Sequence, residues 1–206
     1  MFSMDGIPFA PGTSPFRCKG VLYVDTLDFI DENVRGGRAA VLERVTNAAL
    51  REFLGRAFVV GGWYDIFPLL AVHRSASLTT AQPFLETIRN VARARVPRQF
   101  TGLYRFLLKM ASPEMTMRNL PRISGTYYDF VRVDVAEVRP KTFAASASGV
   151  PAIAASAYMA ATEFGVVHAL ELAGARRVRH RWLSQVPEGR AHGLDVVRVR
   201  REVSWE

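Results

Sequence analysis

With 206 residues, 49% of them apolar and 22% charged, the chain has the make-up of an ordinary globular protein long enough for one sizeable core, which excludes general disorder. A single cysteine, Cys18, excludes an intramolecular disulfide and favours a reducing compartment, so a cytoplasmic location is expected. The net charge of +8 comes almost wholly from arginine, lysine standing only at 19, 109 and 141; an arginine- and alanine-rich coding bias produces this as readily as a phosphate-rich partner would.

Residues 1–17 mix proline, glycine and serine with isolated phenylalanines. They lack the basic and apolar regions of a secretory leader and are expected to form a mobile arm, with 18–206 as a single domain. Val21 to Val24 reads as a short strand. Helices are expected over Asp28 to Val34 and over Ala39 to Leu54, where Val41, Leu42, Val45, Ala49 and Phe53 recur at helical spacing. After Gly61 and Gly62, Asp65 is placed to cap a helix from Ile66 to Arg74, with Pro68 in its first turn. Another helix should run from Pro83 to Val96, with Thr80 as its cap and Pro97 beyond its end. Phe100 to Met110 is a further apolar helix, and Ser112-Pro113-Glu114 starts a short one that ends before Pro121.

After Gly125 the period changes. Tyr127 to Val138 alternates as a strand, Pro140 and Lys141 turn the chain, and Thr142 to Ser148 returns it. Pro151 opens a long helix to Leu172, closed by Gly174. Glu163, His168 and Glu171 interrupt its apolar run, so it reads as a buried helix rather than a membrane span. Strands Arg176 to Val186 and Leu194 to Trp205 follow, joined around Pro187-Glu188-Gly189. The fold class is therefore α+β: a helical N-terminal half, then an antiparallel sheet of two hairpins flanking one long helix.

Several stretches carry a resemblance: Lys19-Gly20-Val21, Trp63-Tyr64, the run from Tyr104 to Glu114 (YRFLLKMASPE), Tyr127-Tyr128, Leu170 to Ala175, and Trp205. Over roughly residues 19–205 the chain resembles the myxobacterial paralogous family, a domain of unknown function. The resemblance implies a fold more than an activity. The C-terminal half is similar, more distantly, to 4-vinyl-reductase-like sensor domains and to the haem-nitric-oxide-binding superfamily. Those relatives imply small ligands held between helices and sheet, and frequent dimerisation. They often carry cysteines in the last hairpin; this chain has none there, so no zinc site is expected. The haem-binding members carry Tyr-x-Ser-x-Arg on a strand and a proximal histidine upstream. Tyr128, Phe130 and Arg132 stand in that pattern with phenylalanine for serine, and no histidine lies between Arg74 and Tyr127. Without an axial ligand, no haem, and no other cofactor, is expected.

Other chemistry is thinly represented. His73, His168, His180 and His192 never fall at the i,i+3 or i,i+4 spacing of a helical metal site. No nucleophile elbow, phosphate loop or dinucleotide fingerprint occurs, so no catalytic residue is assigned and the chain is not expected to be an enzyme. Two features stand out. The row Ala157, Ala161, Gly165, Ala169 and Ala173 repeats every four residues and permits either close packing or a slot for a ligand. Tyr128, Phe130, Arg132, Tyr158, Phe164 and His168 are the candidate pocket residues beside it. Arg177, Arg179 and Arg181 on one strand and Arg198 and Arg200 on the next form a candidate basic surface, without the interleaved aromatics of a single-strand binder. The expected function is a non-enzymatic ligand- or partner-sensing domain, regulatory and a candidate homodimer, holding a small apolar ligand. The alternatives are an interaction module without ligand, or an anion- or nucleic-acid-binding last hairpin.

Overall fold

A computed structural model of the chain describes residues 6–100 and 110–206. The short strand β1 (Arg17–Lys19) pairs antiparallel with β2 (Trp63–Asp65). Val21 to Val24 is not a strand but the first turn of α1 (Gly20–Asn33), whose Tyr23, Leu27 and Ile30 are buried at helical spacing. A short apolar run does not by itself distinguish strand from helix; the longer period decides. The single helix expected over Ala39 to Leu54 is two, α2 (Gly37–Glu43) and α3 (Ala48–Gly55). The first ends at Glu43 and the next begins at Asn47, whose side chain accepts from the Leu50 amide at 2.9 Å to cap it.

Asp65 caps α4 (Ile66–Thr80) through the Phe67 amide at 2.9 Å. The helix continues well past Arg74 because it is buried on almost every side and has no solvent face to break the pattern. Thr80 does not cap the next helix; its hydroxyl donates back to Ala76 O at 2.9 Å. Helix α5 (Phe84–Gln99) starts after Pro83 and carries Pro97 within its last turn. The helix expected over Phe100 to Met110 falls almost entirely outside the described residues. Ser112 caps α6 (Pro113–Arg118) through the Met115 amide at 3.1 Å, and α7 (Leu120–Gly125) follows with Pro121 in its first turn.

The second half is the sheet. Strands β3 (Arg132–Arg139), β4 (Thr142–Pro151), β5 (Arg179–Ala191) and β6 (Leu194–Ser204) are antiparallel in the order β3-β4-β6-β5. Between the hairpins runs α8 (Ala155–Leu172), entered through a short 3-10 turn and left through Gly174 at φ 94°. The last hairpin turns at His192-Gly193, both with positive φ, and not at Pro187-Glu188-Gly189. A two-residue turn of this twist matches its strands, and Pro187 is tolerated as a bulge in an edge strand.

Residues 10–16, expected as part of a mobile arm, are held down. The Asp65 carboxylate accepts from the Gly12 amide at 3.0 Å and the Ser14 amide at 3.3 Å, and Ser14 and Phe16 are buried. Phe16 belongs to the contiguous core that joins the helical half to the inner sheet face of Phe143, Ala145, Val199 and Val203. The segment Ala152–Leu172 is long and apolar enough to cross a membrane by composition, yet it packs against α5 and the sheet with 44% of its window buried. A core helix presents the same pattern.

Candidate functional site

The small-residue row of α8 does not close against its neighbours. Ala157, Ala161, Gly165 and Ala169 line a cavity of about 160 Å³ between α8, the inner face of α4 and α5, and the end of the sheet. A Cβ built on Gly165 would meet nothing within 4 Å. The space exists because methyl groups and a hydrogen stand where larger side chains would fill it. Leu69, Leu70, Ile88 and Val91 supply most of the opposite apolar wall.

Two buried arginines stand at the polar margins. Arg95 from α5, 3% exposed, pairs with Glu32 at 2.9 Å, and Arg98 shares that carboxylate at 3.5 Å. Nearby Asp25 takes a hydrogen bond from the Gln99 amide; burial pushes its carboxyl up, against the pull of Gln99 and Arg95. Arg201 from β6 is equally buried, at 3%, yet no carboxylate lies within ion-pair distance among the described residues, and its Nη1 has no hydrogen-bond partner. Its guanidinium lies 5.1 Å from the ring centre of Trp182, its cross-strand neighbour on β5. Burial lowers the Arg201 pKa, while the Tyr158 and Glu163 groups pull it upward. Trp182 Nε1 and both ring nitrogens of His180 are also buried without partners. His180 falls to about 4, through burial first and the Arg201 charge second, so it is neutral at pH 7.

Other lining groups are neutral. Burial brings His73 down to about 4; its Nε2 lies 3.3 Å from Thr26 Oγ1, and its Nδ1 has no partner. Tyr128 and Tyr158 meet edge to face at 5.3 Å, both pushed up by burial, with Ser124 beside the Tyr158 hydroxyl. Cys18 is buried and its thiol is pushed up in the same way, which leaves it protonated and unreactive.

Of the candidate pocket residues, Tyr128, Phe130 and Tyr158 line the cavity. Arg132 does not: it is exposed, on the outer face of β3. The ladder begins only at Arg132, so strand alternation does not carry back to Tyr128 and Phe130. Phe164 and His168 lie a step round α8 from the row, stacked on each other at 5.6 Å and set against Phe100 in a small cluster with Ala92, Val96 and Ala169. Among the described residues no group of three histidines, cysteines or carboxylates is placed to hold a metal.

The five arginines of the candidate basic surface are all exposed, but three are matched by carboxylates. Arg177 pairs with Glu206 at 2.8 Å, Arg181 with Glu202 at 3.3 Å, and Arg198 Nε with Glu188 at 2.9 Å. Arg179 and Arg200 remain without such a partner among the described residues. Sequence reasoning did not place Arg201, Arg95, Asp25 or His73 beside the cavity, which all four line. For Arg201 the signal was there, since Val197, Val199, Arg201 and Val203 form one apolar alternation with a cation inside it.

No family model and no curated protein matches the sequence. Solved structures do share the fold. A Cs H-NOX mutant with 4-cyano-L-phenylalanine is 12% identical, with a TM-score of 0.60, over 91% of this chain and 96% of that one. An oxygen-binding H-NOX domain related to soluble guanylate cyclases, in its oxygen complex, is 11% identical at a TM-score of 0.58, over 91% and 92%. The Fe(II) unliganded H-NOX protein from K. algicida is 14% identical at 0.57, over 91% and 96%.

These neighbours raise haem as the group to test. The described residues do not fit it. A cavity of 160 Å³ is the size of one known to hold a single benzene ring, whereas a porphyrin joins four rings in one plane. The sole lining imidazole among the described residues, His73, has its Nε2 beside Thr26.

Proposed function

We propose that the chain is a non-enzymatic ligand-sensing domain whose ligand occupies the cavity beside α8. One observation carries this: the interior keeps an apolar space of about 160 Å³ with a buried arginine at its edge that has no ion-pair partner among the described residues. Empty space forfeits dispersion contacts and a lone buried charge costs several kcal/mol, so neither feature is what stability alone selects. Both are features of a concave site, apolar with a few convergent polar groups. The likeness to H-NOX structures, one of which gives insight into the molecular mechanism of H-NOX activation, supports a sensing role without naming the ligand. The cavity is bounded by both halves of the fold, so an occupant would tie the position of α8 to that of α4 and α5.

Native mass spectrometry of the full chain tests this and reads its oligomeric mass. The expected result is a mass above the polypeptide that falls to the bare value on mild activation, releasing a small molecule. If the bare chain alone is present, and a panel of ring-sized compounds neither binds nor raises the Tm, the sensing role is wrong.

A further inference from the structure

The cavity's polar end has a definite charge. Of the two buried arginines on its lining, Arg95 has a carboxylate partner, Glu32 at 2.9 Å, with Asp25 also near it. Arg201 has no such partner among the described residues. Glu163 is close enough to favour its charged form but does not reach ion-pair distance, and Tyr128 and Tyr158 are neutral phenols raised further by burial. His180, which feels the Arg201 charge, is neutral, and Trp182 offers only a ring face and an N–H donor. Apart from Glu163, which stays beyond ion-pair distance, the groups named around Arg201 are thus neutral, donors, or phenols whose hydroxyls can donate. The missing partner is an acceptor carrying negative charge.

We propose that the ligand is a small organic acid whose carboxylate pairs with Arg201 and whose apolar body lies along Ala157, Ala161 and Gly165. The inference rests on the reading of the cavity as the ligand site and names the chemical class it takes. A planar guanidinium suits a planar carboxylate, with two parallel N–H donors for two oxygens. One unbalanced cation calls for one negative charge, and a phosphate dianion would leave a buried charge uncompensated. The volume limits the apolar body to about one ring or an equivalent short chain.

Titration calorimetry at pH 7 on the full chain, with benzoate, benzamide and toluene as probes, tests this. Benzoate is expected to bind about tenfold or more tightly than benzamide, the factor of a charge-assisted hydrogen bond. Arg201→Met should erase that preference while toluene still binds, and Arg200→Gln, which removes an exposed neighbouring charge, should leave it intact. Equal binding of benzoate and benzamide to the unsubstituted chain overturns the proposal, whether or not Arg201→Met folds. So does a preference that survives Arg201→Met, or one lost equally in Arg200→Gln. Toluene binding with no preference for the acid leaves the cavity as a ligand site and removes only the acid. If neither toluene nor benzoate binds, both readings fall.

Discussion

Arg201 makes the most specific demand at the level of single residues. A buried guanidinium without a carboxylate lowers the stability of the empty fold, and burial alone depresses its pKa. Arg201→Met keeps the volume and removes the charge. The ligand-free variant is expected to be more stable by about 2 kcal/mol, roughly 4–8 °C in Tm for a chain of this size. A lower Tm in calorimetry would show that the arginine contributes to the fold itself.

His73 gives a second prediction at the same scale. Its folded pKa is about 4 against 6.5 for the free side chain. Between those values the unfolded chain binds the extra proton and the folded one does not, so this contribution is complete above pH 6.5 and is lost as pH falls toward 4. The loss is about 1.4 kcal/mol per pH unit at most. Asp65 acts in the opposite sense, since burial raises its carboxyl and the folded form takes its proton first on acidification. His180, also brought down to about 4, and the carboxylates of Glu32, Glu86 and Glu188, held down by hydrogen bonds and neighbouring arginines, act in the same sense as His73. Urea midpoints measured across this range should therefore fall on acidification, and His73→Gln should flatten the fall. An unchanged slope in His73→Gln would place the titration elsewhere.

Individual elements differ in how much glycine matters to them. A Cβ at Gly20 would lie 2.0 Å from the Val59 carbonyl oxygen, where α1 starts against the loop before β2. Gly20→Ala is expected to cost about 3 kcal/mol or more, read as a large drop in Tm or a failure to fold. Gly165 lies in α8 facing open space. Gly165→Ala should instead raise stability by about 1 kcal/mol through helix propensity. Gly165→Leu should fill the cavity and abolish toluene binding while leaving the far-ultraviolet circular dichroism unchanged. Retained binding would mean that the probe sits elsewhere.

For the molecule as a whole, the sequence showed the layers better than the joints. The sheet strands and α8 were legible because periods of two and 3.6 persist over long segments with turn residues between them. Where the signal was local it misled. Val21 to Val24 read as strand, and Asn47 was not recognised as the cap that starts α3. The Pro187-Glu188-Gly189 cluster resembled a turn, though the positive φ values belong to His192 and Gly193. The small-residue row was readable, and so was its consequence that a slot could open beside α8. Which side chains reach that slot was not, because Arg201, Arg95 and His73 come from three different elements that meet only in the folded chain. Arg132 shows the converse: a motif-like spacing places a residue correctly only if the strand already runs through it.

The central claim is that the space beside α8 accepts a guest, and amide chemical-shift mapping of the full chain with toluene tests it most directly. Saturable shifts are expected at Ala157, Ala161, Gly165 and Ala169, together with Arg201 across the cavity, and little change on the outer faces of β5 and β6. Shifts scattered over the exposed strands, or none at concentrations approaching toluene saturation, would contradict it.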